Sequence, residues 1–135
     1  MENQILAGKK MVLVEDDQFL GDVIIQKMES MGASITRYMN GLEGLAAIRE
    51  QKPDMVLLDI MLPVMNGYEV LEVMKHEGLM DKSPVIVISN SGQPVEIQRV
   101  VDLGVKDYLI KANFTPDEVL NKVTHYIQQS ENPSN

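Results

Sequence analysis

The stretch MVLLDIMLP, residues 55–63, sets Val56, Leu57 and Leu58 directly before a carboxylate, Asp59, and closes on Pro63. A short, wholly apolar run bounded by a breaker reads as a strand buried on both faces. An acid at its end poses a physical problem, because a charge buried alone is very costly. Either Asp59 stands at the open mouth of the strand or it has a cationic partner.

Working outward, the same kind of run recurs. KMVLV (10–14), PVIVIS (84–89) and KDYLIK (106–111) read as buried strands, and ASITRYM (33–39) alternates like an edge strand. Between them lie stretches of helical period. Residues 18–31 place Leu20, Ile24, Met28 and Met31 on one face. Residues 41–51 follow Asn40 as N-cap, 67–77 carry Val70, Leu71 and Met74, and 94–104 end on a glycine. Thr115, Pro116 and Glu118 form a capping box with a proline start for a last helix over 115–129. The order βαβαβαβαβα predicts an α/β fold, doubly wound, with a central parallel sheet covered on both faces. The expected division is one domain over 1–129 and a disordered tail over 130–135.

The 135 residues suit one core, and a formal net charge of −8 with scattered lysines offers no basic footprint for nucleic acid. There is no cysteine, hence no disulfide or thiolate metal site. No stretch is long and apolar enough to span a bilayer, and the N-terminal residues do not form a signal peptide, so the expected location is the cytoplasm.

Polar groups follow each buried strand: Glu15, Asp16 and Asp17 after the first, Asp59 after the third, Ser89 after the fourth and Lys111 after the fifth. In parallel sheets the carboxyl ends of the strands face one crevice, where ligands bind. Clustered carboxylates repel unless a cation lies between them, and an all-oxygen donor set selects Mg²⁺ or Mn²⁺. A carboxylate can attack phosphorus, while a metal, a lysine and a hydroxyl can each answer one phosphoryl oxygen. His76 and His125 lie on helices without matched partners and read as surface residues. The ten methionines read mostly as core filler.

The pieces VLVEDD, LLDIMLPVMNG, VIVIS and DYLIK, at these spacings, resemble the receiver domain of bacterial two-component response regulators over about residues 9–129. The resemblance implies a flavodoxin-like (βα)5 receiver fold with strand order 2-1-3-4-5. It implies Asp59 as phosphoacceptor, and Mg²⁺ held by Asp16, Asp59 and the main-chain carbonyl of Met61, with Glu15 acting through a water. Ser89 is then the switch hydroxyl, Lys111 the phosphate-binding cation and Tyr108 the switch aromatic. The implied protein is a signalling switch rather than a turnover enzyme. A histidine kinase or histidine phosphotransfer protein supplies the phosphoryl group, and the readout is an unknown protein target, since no output domain follows residue 129. It is expected as a monomer or an activation-dependent dimer. Two departures stand out. Asn90 follows Ser89 where the family usually has alanine. Ala112 follows Lys111 where the family has proline, commonly in a cis bond, so either a trans bond with a shifted loop or a strained cis bond costing roughly 3 kcal/mol is expected. These departures keep open a phosphorylation-independent interaction module. A Mg²⁺-dependent aspartyl phosphatase is disfavoured by Met61, which stands where such enzymes of the haloacid dehalogenase type carry a second acid. A flavodoxin-like cofactor binder is disfavoured because EDDQ (15–18) repels an anion.

Overall fold

A computed structural model describes residues 4–131. Five strands, β1 (Lys10–Val14), β2 (Ser34–Tyr38), β3 (Met55–Asp59), β4 (Val85–Ser89) and β5 (Asp107–Ile110), alternate with five helices. These are α1 (Gln18–Ser30), α2 (Gly41–Gln51), α3 (Gly67–His76), α4 (Pro94–Asp102) and α5 (Pro116–Glu131). The sheet is parallel throughout, in the order β2-β1-β3-β4-β5. The chain is therefore doubly wound, as the element order predicts.

Strand alternation divides the core in two. Met11, Leu13, Leu57 and Ile88 face α1 and α5, whereas Val12, Val14, Leu58 and Val87 face α2 and α3. Every residue of β3 and β4 is buried, which explains why these strands read as continuous apolar runs. The helix starts are specified locally. Asp17 and Asn40 accept from the backbone N–H of Leu20 and Glu43, and Thr115 exchanges hydrogen bonds with Glu118. Asn66 and Glu69 form a further capping box at α3.

Two boundaries need correction. Ser130 and Glu131, expected in a disordered tail, continue α5, because no helix breaker precedes Pro133 and Glu131 pairs with Lys9. The expected tail residues 132–135 lie outside the described residues. Lys111, expected on the last strand, instead opens a short 3-10 turn over Lys111–Asn113, since the ladder to β4 ends at the Ser89–Ile110 pair. The peptide bond after Lys111 is trans, as no described residue has a cis bond.

Candidate functional site

The carboxyl ends of β1, β3 and β4 open on one side of the sheet, and the turn after β5 closes over them. Glu15 extends from β1 and is wholly buried, Asp59 ends β3 at 3% exposure, and Ser89 ends β4, also buried. Asp16 is exposed. One carboxylate oxygen from each of Glu15, Asp16 and Asp59 lies within 4.8 Å of the others.

Lys111 answers the question posed by the buried acid. Its Nζ donates to Asp59 Oδ2 at 3.1 Å and to Glu15 Oε2 at 3.1 Å. Asp59 therefore has both escapes: a place at the strand mouth and a cationic partner. The trans bond to Ala112 does not turn Lys111 away, because the 3-10 turn aims its side chain inward.

One ammonium cannot neutralise two buried acids. Burial pushes the Glu15 carboxyl up to about 7, and the neighbouring Asp59 charge adds to this. The Asp17 N–H, which donates to Glu15 Oε2 at 3.0 Å, and Lys111 act in the opposite sense. Burial draws the Lys111 ammonium down, but its hydrogen bond to Glu15 and the Asp59 charge outweigh that and leave it above its ordinary value.

Glu15 Oε1 lies 3.0 Å from Lys111 Nζ but outside hydrogen-bond geometry. Among the described residues it is the only fully buried side-chain oxygen or nitrogen without a hydrogen bond. A buried oxygen that is ion-paired but accepts no hydrogen bond, beside two further carboxylates, is a ligand set with spare capacity, and its chemistry fits a hard divalent cation. The Met61 N–H reaches Asp59 Oδ1 at 3.4 Å, so the loop after β3 folds back over the acid.

Ser89 Oγ accepts from the Ser91 N–H at 3.2 Å, and the Tyr108 hydroxyl donates to the Ser91 carbonyl at 2.7 Å. Sequence reasoning singled out Ser89 and Tyr108 but missed Ser91, which joins them. The Ser91 link runs through its main chain, and no side-chain pattern signals it. Asn90 is exposed, and so are His76 and His125. Sequence reasoning also missed the stacking of Arg99 on α4 over the Tyr68 ring at 3.8 Å.

The family model for the response regulator receiver domain matches residues 11–124. The chain is 32% identical over 124 residues to the Regulator of RpoS of Escherichia coli, covering 92% of this chain and 35% of that protein. It is 28% identical over 123 residues to the DNA-binding response regulator MtrA of Mycolicibacterium smegmatis, covering 91% and 52%. It thus spans a third to a half of the length of these relatives. Among solved structures, a CheY-like response regulator receiver domain protein from Methanospirillum hungatei superposes with a TM-score of 0.84 at 26% identity, covering 93% of this chain and 98% of that one. Motif, topology and family match converge, and the chain belongs to the response regulator receiver domain family.

Proposed function

We propose that the protein is a phosphoryl-accepting switch in which a histidine kinase or histidine phosphotransfer protein passes its phosphoryl group to Asp59. The observation that carries this reading is the buried Asp59 carboxylate, 3.1 Å from the Lys111 ammonium and grouped with Glu15 and Asp16. An Asp59 oxygen attacks phosphorus, the phosphorus–nitrogen bond to the donor imidazole breaks, and the imidazole leaves with the bond's electron pair. Lys111 holds one phosphoryl oxygen and Ser89 donates to another. Asp16, Asp59, the Met61 carbonyl and, through water, Glu15 are the groups to hold Mg²⁺ or Mn²⁺, which when bound neutralises phosphoryl charge.

Drawing the Ser89 hydroxyl toward a phosphoryl group costs the bond that Ser91 N–H now makes to it. Since the Ser91 carbonyl holds the Tyr108 hydroxyl, Ser89 and Tyr108 are linked through one residue. Phosphorylation shifts the population to the state that offers the better phosphoryl contacts. The output is binding of a protein partner, by a monomer or by a dimer formed on activation, in the cytoplasm. The described residues contain no helix long and apolar enough to cross a membrane.

Intact mass after incubation with acetyl phosphate and Mg²⁺ tests the reading, with Asp59→Asn as control. One added phosphoryl group, lost without Mg²⁺ and absent in the variant, is expected. No adduct, together with no response to beryllofluoride and Mg²⁺, leaves the phosphorylation-independent module as the better account.

A further inference from the structure

The loop after β3, residues 60–66, supplies the main chain beside Asp59, and two close backbone approaches pin it. At its start, a Cβ on Gly67 would lie 2.5 Å from the Asp59 carbonyl oxygen and 2.6 Å from Ile60 Cα. The Gly67 N–H donates to the Ile60 carbonyl at 2.8 Å. At its end, a Cβ on Gly41 would lie 2.7 Å from the Met65 carbonyl carbon, closer still to its oxygen, and 3.0 Å from Val70 Cγ2. Neither glycine has a positive φ, so each is required for space and not for conformation. Gly41 belongs to a different element, the first turn of α2, and no motif for phosphoryl chemistry includes it here.

Between the two pins the chain is under tension. Val64 has φ +70°, and the Met65 N–H donates to the Pro63 carbonyl at 2.7 Å. That is a γ-turn of the rare, strained, positive-φ kind, centred on a β-branched residue. Strain of this sort persists only where the surroundings over-determine it. Here the α2 side is fixed by Gly41 against Met65, and the α3 side by Gly67 against Asp59 and Ile60.

We infer that Gly41 is a positioning residue for the Asp59 site: by letting the first turn of α2 close on the Met65 carbonyl, it holds the 60–66 loop and thereby aims the Met61 main chain at the acid cluster. The inference rests on the proposed cation site for its functional consequence, and on the loop geometry alone for its structural one. Any side chain at position 41 must push the loop or α2 away. Loop displacement reaches Met61, four residues before Met65, because the γ-turn has no slack to absorb it.

The test compares Gly41→Ala with Ala47→Gly, which weakens the same helix from a buried position away from the loop. Two readouts are needed: Mg²⁺ affinity by calorimetric titration, and the metal-free amide resonances of Asp59 and Met61. Gly41→Ala is expected to weaken Mg²⁺ binding roughly tenfold or more, as loss of a support behind a ligand does. It is also expected to move both resonances. Ala47→Gly should leave affinity within about twofold at a similar loss of stability. Adding Val64→Gly, which lets the turn yield, should recover affinity in the Gly41→Ala background. Unmoved resonances with wild-type affinity in folded Gly41→Ala overturn the inference, as does an equal loss in Ala47→Gly. If the wild-type protein itself does not bind Mg²⁺, the cation reading fails, and the resonances still decide whether Gly41 positions the loop. If Gly41→Ala does not fold alone, the double variant is read against Val64→Gly at the Met65 amide resonance, which must still move because the clash lies at the Met65 carbonyl; an unmoved Met65 overturns the inference.

Discussion

Lys111 Nζ lies 3.1 Å from Asp59 Oδ2 although 52 residues separate them, and it is equally close to Glu15, 96 residues away. One cation thus serves two buried acids at the ends of β1 and β3. Removing it by Lys111→Met leaves both carboxylates without a cationic partner, and breaking such a buried pair costs roughly 3 kcal/mol. Urea denaturation at neutral pH in chelator-containing buffer measures this. A loss below about 0.5 kcal/mol, the range of ordinary surface substitutions, means that the acids are relieved some other way.

The raised Glu15 carboxyl gives a pH signature of definite sign. Its folded value of about 7 lies above the ordinary carboxylate value of about 4.5, so between those values the folded state binds more protons than the unfolded state. The stability held at low pH is therefore lost as pH rises through the window from 4.5 to 7. Glu15→Gln removes the titration, so without divalent metal the variant should gain on the wild type between pH 5 and pH 8, by on the order of 2 kcal/mol. Paired thermal melts across that range decide it; parallel curves contradict the buried, under-compensated carboxyl.

The Tyr108 hydroxyl bond to the Ser91 carbonyl carries a dynamic prediction. Tyr108→Phe keeps the ring and deletes one hydrogen bond, worth about 1 kcal/mol. Between the ladder pair of Ser89 with Ile110 and the Gln93 carbonyl, which accepts from Glu96 and Ile97, the segment is tied by Ser89 Oγ accepting from Ser91 N–H and Ser91 Oγ accepting from Gln93 N–H. α4 beyond it buries only Val100. Amide exchange at Ser91 and Gln93 should accelerate about fivefold, in line with that bond energy. Exchange unchanged from wild type would show that the tyrosine does not restrain this loop.

The parts of the molecule legible in the sequence are those written in local period and local chemistry. The apolar runs of β1, β3 and β4 name themselves because both their faces are covered, and Asp17, Asn40 and Thr115 mark helix starts through their own hydrogen bonds. Glu15, Asp16, Asp59, Ser89 and Lys111 could be grouped because a parallel sheet sends every strand end to one side. What stayed hidden is carried by main-chain atoms or by distance. The Ser91 carbonyl that receives Tyr108 has no side-chain signal. The Met65 carbonyl under Gly41 is invisible until α2 and α3 are docked. The Asn66–Glu69 capping box, in contrast, carries its signature in its spacing.

Val64 offers the sharpest stability test because its side chain does so little for the fold. It is 76% exposed, so replacing it removes almost no buried apolar area. Its φ of +70° is a sparsely populated conformation for any non-glycine residue and an outlier for a β-branched one, costing of order 1–3 kcal/mol. Glycine takes this conformation freely but gives back roughly 0.5–1 kcal/mol through the greater freedom of its unfolded chain. The balance favours the variant, and Val64→Gly should stabilise the protein by about 1 kcal/mol. The urea midpoint should rise with an unchanged slope, since the surface exposed on unfolding hardly changes. Val64→Ala is the control: it trims the side chain but keeps a Cβ, so it should recover only a minor part of the gain. If Val64→Gly lowers the midpoint instead, the valine side chain makes a contact that outweighs its backbone strain, and the loop is not under tension.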